Sequence, residues 1–137
     1  YPGKKAEINK NLDRLNSKLK GIVDSVKWVT AEHDKGNIDM SLHAHMFKGG
    51  FSELAAAVNT IVGSQIELTE KALACVKEFG EGNFDAPLEK FPGKKAFVNE
   101  AIEQVRLNLK ALNADVQMLS SAANEGRVSV RDLKSGF

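Results

Sequence analysis

Apolar residues recur along the first thirty positions in steps of four and three: Ile8, Leu12, Leu15, Leu19, Ile22, Val26 and Val29. The same rhythm returns at Val98, Ile102, Val105, Leu109, Leu112, Val116 and Leu119. Alternating steps of four and three average 3.5 residues, the repeat of a coiled-coil seam. A helix that only covers a globular core drifts toward 3.6. A middle segment keeps the beat at Leu54, Val58, Ile61, Gln65, Leu68, Ala72, Cys75 and Phe79, with a polar residue at 65. A neighbouring stripe of Val62, Ile66, Leu73 and Val76 competes with it, as at a phase change between two stacked bundles. The pattern predicts helices over about 4–35, 50–80 and 94–124.

Glycine punctuates these runs. Gly36, Gly80, Gly82 and Gly126 follow helical stretches, where glycine closes carboxyl ends. Gly49, Gly50 and Gly93 open the next runs, and Pro92 suits a first turn. Gly21 and Gly63 fall inside helical patterns, near expected junctions, at a cost of about 1 kcal/mol each relative to alanine. Segments 37–48 and 83–92 are then connectors, and 127–137 begins a third. Each connector carries spaced apolar residues: Ile38, Leu42 and Phe47, then Phe84, Leu88 and Phe91. An antiparallel helical hairpin needs only about 2–8 linking residues. Ten to twelve extended residues reach over about 30 Å, whereas half of a helix over 50–80 is only about 23 Å long. A connector therefore has the length to run back along a bundle and start the next helix in the same direction.

The chain repeats itself. At an offset of 90, Tyr1-Pro2-Gly3-Lys4-Lys5-Ala6 falls on Phe91-Pro92-Gly93-Lys94-Lys95-Ala96, and the seam residues follow in register. A fainter repeat lies at about half that distance: Gly36-Asn37-Ile38-Asp39 resembles Gly82-Asn83-Phe84-Asp85, and Leu54, Val58 and Ile61 correspond to Val98, Ile102 and Val105. Self-similarity at a fixed period signals stacked modules that cannot bury their apolar faces alone. The expected fold is all-α: stacked parallel four-helix coiled-coil bundles formed by homodimerisation, with long helices joined by extended connectors.

A helix, a Gly-initiated connector with spaced apolar anchors and a second helix within about 45 residues resemble the HAMP domain, which links sensors to outputs in bacterial chemoreceptors and histidine kinases. Glu53-Leu54-Ala55-Ala56-Ala57-Val58-Asn59-Thr60-Ile61-Val62 is similar to the family's second-helix signature, and Gly82-Asn83-Phe84-Asp85-Ala86-Pro87-Leu88 to its connector. The tandem arrangement resembles the poly-HAMP arrays of soluble chemoreceptors and hybrid kinases. The resemblance implies a second helix of an upstream unit at 1–20, complete units at 22–64 and 68–110, and the first helix and partial connector of a further unit at 111–137. It implies a bundle seam of Leu12, Leu15, Leu19, Ile22, Val26, Val29, Leu54, Val58, Ile61, Leu68, Val98, Ile102, Val105, Leu109, Leu112, Val116 and Leu119. Gly36, Ile38, Leu42, Phe47, Gly82, Phe84, Leu88 and Phe91 would anchor connectors. Glu53, Asn59 and Gln65 are the relay candidates. The helix at 94–110 lacks an acid before Val98, so no role of Glu53 carries over there.

Composition narrows the function. The 137 residues are 42% hydrophobic and 27% charged with a net charge of +1, so no electrostatic footprint for nucleic acid or anionic lipid is present. No apolar run approaches the roughly 18 residues of a membrane span, and no signal peptide is visible. Tyr1 is an unusual start, so an excised piece of a longer parent, soluble or membrane-anchored, is expected. A single cysteine, Cys75, fits a reducing, cytoplasmic setting. It keeps the middle-helix rhythm, so in a parallel dimer it is expected near its own copy and open to oxidative cross-linking.

No phosphate loop, nucleophile elbow or Ser/His/Asp set occurs. No catalytic residue, cofactor or metal ligand is assigned. His43 and His45 share a face if extended, but without a neighbouring acidic or cysteine cluster they read as solvated connector histidines. His33 near a helix end suits the helix dipole. Trp28 and Met118 flank the seam at matching places. The expected function is a non-catalytic signal relay from a sensor to a chemotaxis or kinase output of the same parent chain, acting on a downstream kinase or adaptor. The alternatives are a rigid coiled-coil spacer and a haem- or metal-binding bundle using His33, His43 or His45.

Overall fold

The computed structural model describes residues 2–135, with side chains described for 3–126. Tyr1, Gly136 and Phe137, which fall in the first and last expected segments, lie outside the described residues. Three long helices make up the fold, α1 (Pro2–Asp34), α2 (Gly50–Gly80) and α3 (Ala96–Ser135), and no strand occurs among the described residues. Single 3₁₀ turns at Ala44–Met46 and Gly93–Lys95 break the two connectors. The fold is all-α.

α1 and α2 end the same way. The N–H of Asn37 donates to the carbonyl of Glu32 at 2.9 Å and that of Gly36 to His33 at 2.9 Å. The N–H of Asn83 donates to Glu78 at 2.9 Å and that of Gly82 to Phe79 at 3.0 Å. These are paired Schellman closures, which need a left-handed residue after the last turn. Gly36 and Gly82 supply it with φ of 97° and 95°. Asn37 and Asn83 add a second tie, each donating its side-chain amide to the carboxylate of Glu32 or Glu78. Gly49 and Gly93, both at φ 58°, turn the chain into the following helix.

α3 corrects the sequence-based boundaries. It runs on to Ser135, where a stop near 124 and a new connector from 127 were expected. Gly126 has no positive φ and closes nothing. Position alone made it look like Gly36 and Gly82. The cost of one helical glycine, about 1 kcal/mol, is too small to end a helix unless a closure motif forms.

The chain divides within α2 into two compact units, Tyr1–Leu68 and Thr69–Phe137. In the first, Ile22 of α1, Leu42 of the connector and Ala55 of α2 are buried together, with Val29, Phe47, Phe51 and Val58 against them. The two helices run parallel. Leu19, Ile22 and Val26 share a groove with Leu54 and Val58, while Val29 and His33 share the next with Val58 and Val62. Residue numbers rise in the same direction on both.

In the second unit, Cys75 and Phe79 of α2, Ala86 of the connector and Ile102 of α3 form the core. Phe79 stands at the end of α2, yet its ring lies under Arg106, well inside α3. In an antiparallel hairpin the end of α2 would meet the start of α3. The chain has therefore travelled back before α3 begins, and the connector fills the groove between parallel helices.

Candidate functional site

The connectors are held by side chains that bond to their backbone. In the first unit Asn59 grips Leu42 at both ends: the Leu42 N–H donates to Asn59 Oδ1 at 2.8 Å, and Asn59 Nδ2 donates to the Leu42 carbonyl at 2.7 Å. Leu42 is only 4% exposed, so these two backbone groups need such partners. His33 Nε2 donates to the Met40 carbonyl at 2.7 Å from α1, and Ser52 Oγ to the Ala44 carbonyl at 2.9 Å from α2.

The second connector uses another asparagine. The Phe91 N–H donates to Asn99 Oδ1 at 2.9 Å, and Asn99 Nδ2 donates to the Glu89 carbonyl at 2.8 Å. Asn59 and Asn99 are not counterparts in the repeat, in which Leu54 matches Val98. The same device has been placed at two different points of the frame. Arg106 donates through Nη1 to the Phe84 carbonyl at 2.8 Å and lies 5.0 Å above the Phe79 ring. Ion pairs rim the connector: Lys71 to Glu89 at 2.6 Å, and Lys110 to Asp85. The hydrogen bond from Lys110, with its charge, holds the Asp85 carboxyl below its ordinary range. In the first unit, hydrogen bonds from Lys35 and then Asn37 lower Glu32 in the same way.

The expected seam divides in two. Ile22 and Ile102 are buried within their own units, and Val29, Val58, Leu68, Val98 and Leu109 are half-buried. Leu12, Leu15, Leu19, Val26, Leu54, Ile61, Val105, Leu112, Val116 and Leu119 remain 39–70% exposed. In the first unit, an almost wholly apolar groove of about 280 Å³ opens on this stripe between Leu19, Ile22, Val26, Leu54 and Val58.

Of the expected anchors, Leu42 and Phe91 are buried, Phe47, Phe84 and Leu88 are half-buried, and Ile38 is 49% exposed. Gly36 and Gly82 are the helix closures. Of the relay candidates, Glu53 is exposed in the first turn of α2, with its N–H bonded to the Gly49 carbonyl. Asn59 is the connector clamp, and Gln65 is exposed on α2.

Cys75 requires a correction. It is 3% exposed, its Sγ lies 3.6 Å from the Ala86 carbonyl, and Arg106 Nη2 is 3.9 Å away. It faces its own connector, so the expected cross-link to a second copy lacks an accessible thiol. The periodicity had placed it on the right stripe of α2, but that stripe is covered by the connector at this height.

Sequence reasoning missed Ala86, Asn99 and Arg106. Ala86, 2% exposed, is too small to register in a hydrophobic pattern. Arg106 gave a weak signal: it stands four residues after Ile102 and three before Leu109, on the inward stripe, where a charge is out of place. His43 and His45 lie with ring centres 5.8 Å apart, and Trp28 tilts against His43 at 6.3 Å. Met118 is exposed. Among the described residues, no group of three or more His, Cys, Asp or Glu side chains stands together to hold a metal ion. No helix among them is long and apolar enough to cross a membrane.

Residues 68–110 match the family model described as HAMP N-terminal domain 3. Over 101 residues the chain is 34% identical to the methyl-accepting chemotaxis protein McpB of Pseudomonas aeruginosa, an alignment covering 73% of this chain and 15% of that protein. The chain thus spans only a small part of the relative it matches.

Proposed function

Since this chain carries a HAMP domain at residues 68–110 and is similar to a methyl-accepting chemotaxis protein, we propose that it is a non-catalytic signal-relay segment of a chemoreceptor-like parent. Segments 22–64 and 68–110 are each one relay unit, 1–20 is the second helix of an upstream unit, and 111–135 is the first helix of a further one. The parent supplies a sensor and an output on the same chain, works in the cytoplasm, and reports to a kinase or adaptor.

One observation carries the reading. Ten seam residues at 3.5-residue spacing stay 39–70% exposed although the connectors are packed. Isolated apolar side chains on a surface are ordinary, but a periodic stripe is not. A second copy lying parallel closes it, turning each pair of parallel helices into a four-helix bundle. Input then biases how the seams pack, and the continuous helices hand that bias on. A useful bias is about 1–3 kcal/mol. Gln65 interrupts the seam of α2, and there two packings come closest in energy.

The first test is solution mass: a dimer is expected, and a monomer at high concentration overturns the reading. The second is Gln65→Leu in the parent receptor, which should lock output in one state. Unchanged signalling rejects the relay role of this position. Four residues inserted after Gln65 separate relay from spacer, because a rigid spacer keeps working with them and a phase-sensitive relay does not.

A further inference from the structure

Arg106 is only 9% exposed, the one buried charged residue among those described. Removing a guanidinium from water is costly unless its donors and charge are matched. Here they are matched by three different elements. Nε donates to Glu103 Oε1 at 3.0 Å on α3 itself. Nη1 donates to the Phe84 carbonyl of the connector at 2.8 Å. Cζ lies 5.0 Å from the centroid of the Phe79 ring of α2, with Nη2 3.9 Å from the Cys75 sulfur. One side chain of α3 thus meets both the connector and α2.

The first unit is built differently. The counterpart of Arg106 in the repeat is Val62, which has no donor and lines a groove of about 140 Å³ with Val29, Ile38 and Met40. Its connector is tied separately to α1 through His33 and to α2 through Asn59.

We propose that Arg106 is a positioning residue that fastens the second connector to both helices of its unit, so that α2, connector and α3 shift together. Planarity is essential to this role. The fork reaches a carbonyl and a carboxylate from two different nitrogens while its carbon stands over an aromatic ring, which a lysine ammonium cannot reproduce. The signalling consequence rests on the relay reading; the fastening does not.

The experiment uses the whole 137-residue chain and the rate at which native Cys75 reacts with Ellman's reagent, since this thiol is reached only when the fastened region opens. Arg106→Met, which retains bulk, should accelerate labelling by roughly 10–100-fold. Arg106→Lys should fail to rescue and label at least about 10-fold faster than the unsubstituted 137-residue chain. Lys110→Met, which removes only a rim ion pair, should change the rate by less than about 3-fold. Exchange of the Leu42 amide in the other unit should not change in any variant.

A wild-type labelling rate in Arg106→Lys overturns the proposal, because charge alone would then suffice. Equal loss of protection at Leu42 overturns it as well, because the effect would be general destabilisation. Solution mass of the same samples keeps the two readings apart. A monomer that still shows fast labelling in both variants sinks the relay dimer and leaves the fastening intact. A dimer with unchanged labelling does the reverse.

Discussion

Replacing Asn59 by alanine removes a clamp that closes on both backbone groups of one residue. The two bonds, 2.8 and 2.7 Å long, are all that join Asn59 to Leu42, and Leu42 is 4% exposed. A net hydrogen bond contributes about 0.5–1.5 kcal/mol, so both together contribute about 1–3 kcal/mol. A central value of about 2 kcal/mol is a factor of about 30 in the equilibrium for local opening. Amide hydrogen exchange resolved by residue is the direct assay. In Asn59→Ala the Leu42 amide should exchange roughly 30-fold faster, while the Phe91 amide, held by Asn99 in the other unit, should stay within about 2-fold. Asn59→Asp should not restore protection at neutral pH, since a carboxylate accepts from the Leu42 N–H but has nothing to donate to its carbonyl. Protonation below pH ~4 returns a donor, so part of the protection should reappear in acid. Unchanged Leu42 exchange in Asn59→Ala, or a matching loss at Phe91, refutes the reasoning.

Other outcomes follow from single features. Gly82→Ala forces a Cβ into a left-handed conformation at φ 95° and should cost about 1–2 kcal/mol in urea unfolding. Gly63→Ala, inside α2 with open space around it, should instead stabilise by up to about 1 kcal/mol. Mild oxidation of the native chain should give no disulfide-linked species on a non-reducing gel, because Cys75 is buried against Ala86. Asp85 and Glu32 have carboxyls lowered on folding, so the stability they add is complete above the ordinary carboxylate range and is lost as pH falls through the lowered values. Asp85 is exposed, Glu32 is half-buried, and the lysine partner of each is exposed, so the effect is small and salt-sensitive. Lys110→Met should raise the Asp85 pKa seen by NMR.

Helices are legible in this sequence because a 3.5-residue rhythm survives for several heptads without help from distant contacts. The all-α fold follows from it, and so do long connectors carrying spaced apolar residues. What was hidden depends on which neighbour reaches a position first. Ile22 and Leu19 belong to the same stripe, yet the connector covers one and leaves the other open. Periodicity reports direction from the helix axis and not the element lying there. Cys75 illustrates the same limit, since its stripe was legible and the connector above it was not. Gly126 looked like Gly36 because sequence shows the residue but not its φ. Arg106 reads as solvated from sequence because only Glu103 of its partners is on the same helix, and the others lie on the connector and α2.

The turn at Ala44–Met46 has a further consequence. Gly36 and Gly49, the two left-handed points of the first connector, stand 13 residues apart, and Gly82 and Gly93 in the second stand 11 apart. The first strap therefore carries two residues of surplus length, taken up where it coils for a single turn. A strap with slack tolerates being shortened, lengthened or pulled, whereas a taut one transmits every tug. Loop surgery on this protein should therefore start at the exposed His45 and Met46, between the contacts of Ala44 and Phe47, and leave 83–91 alone.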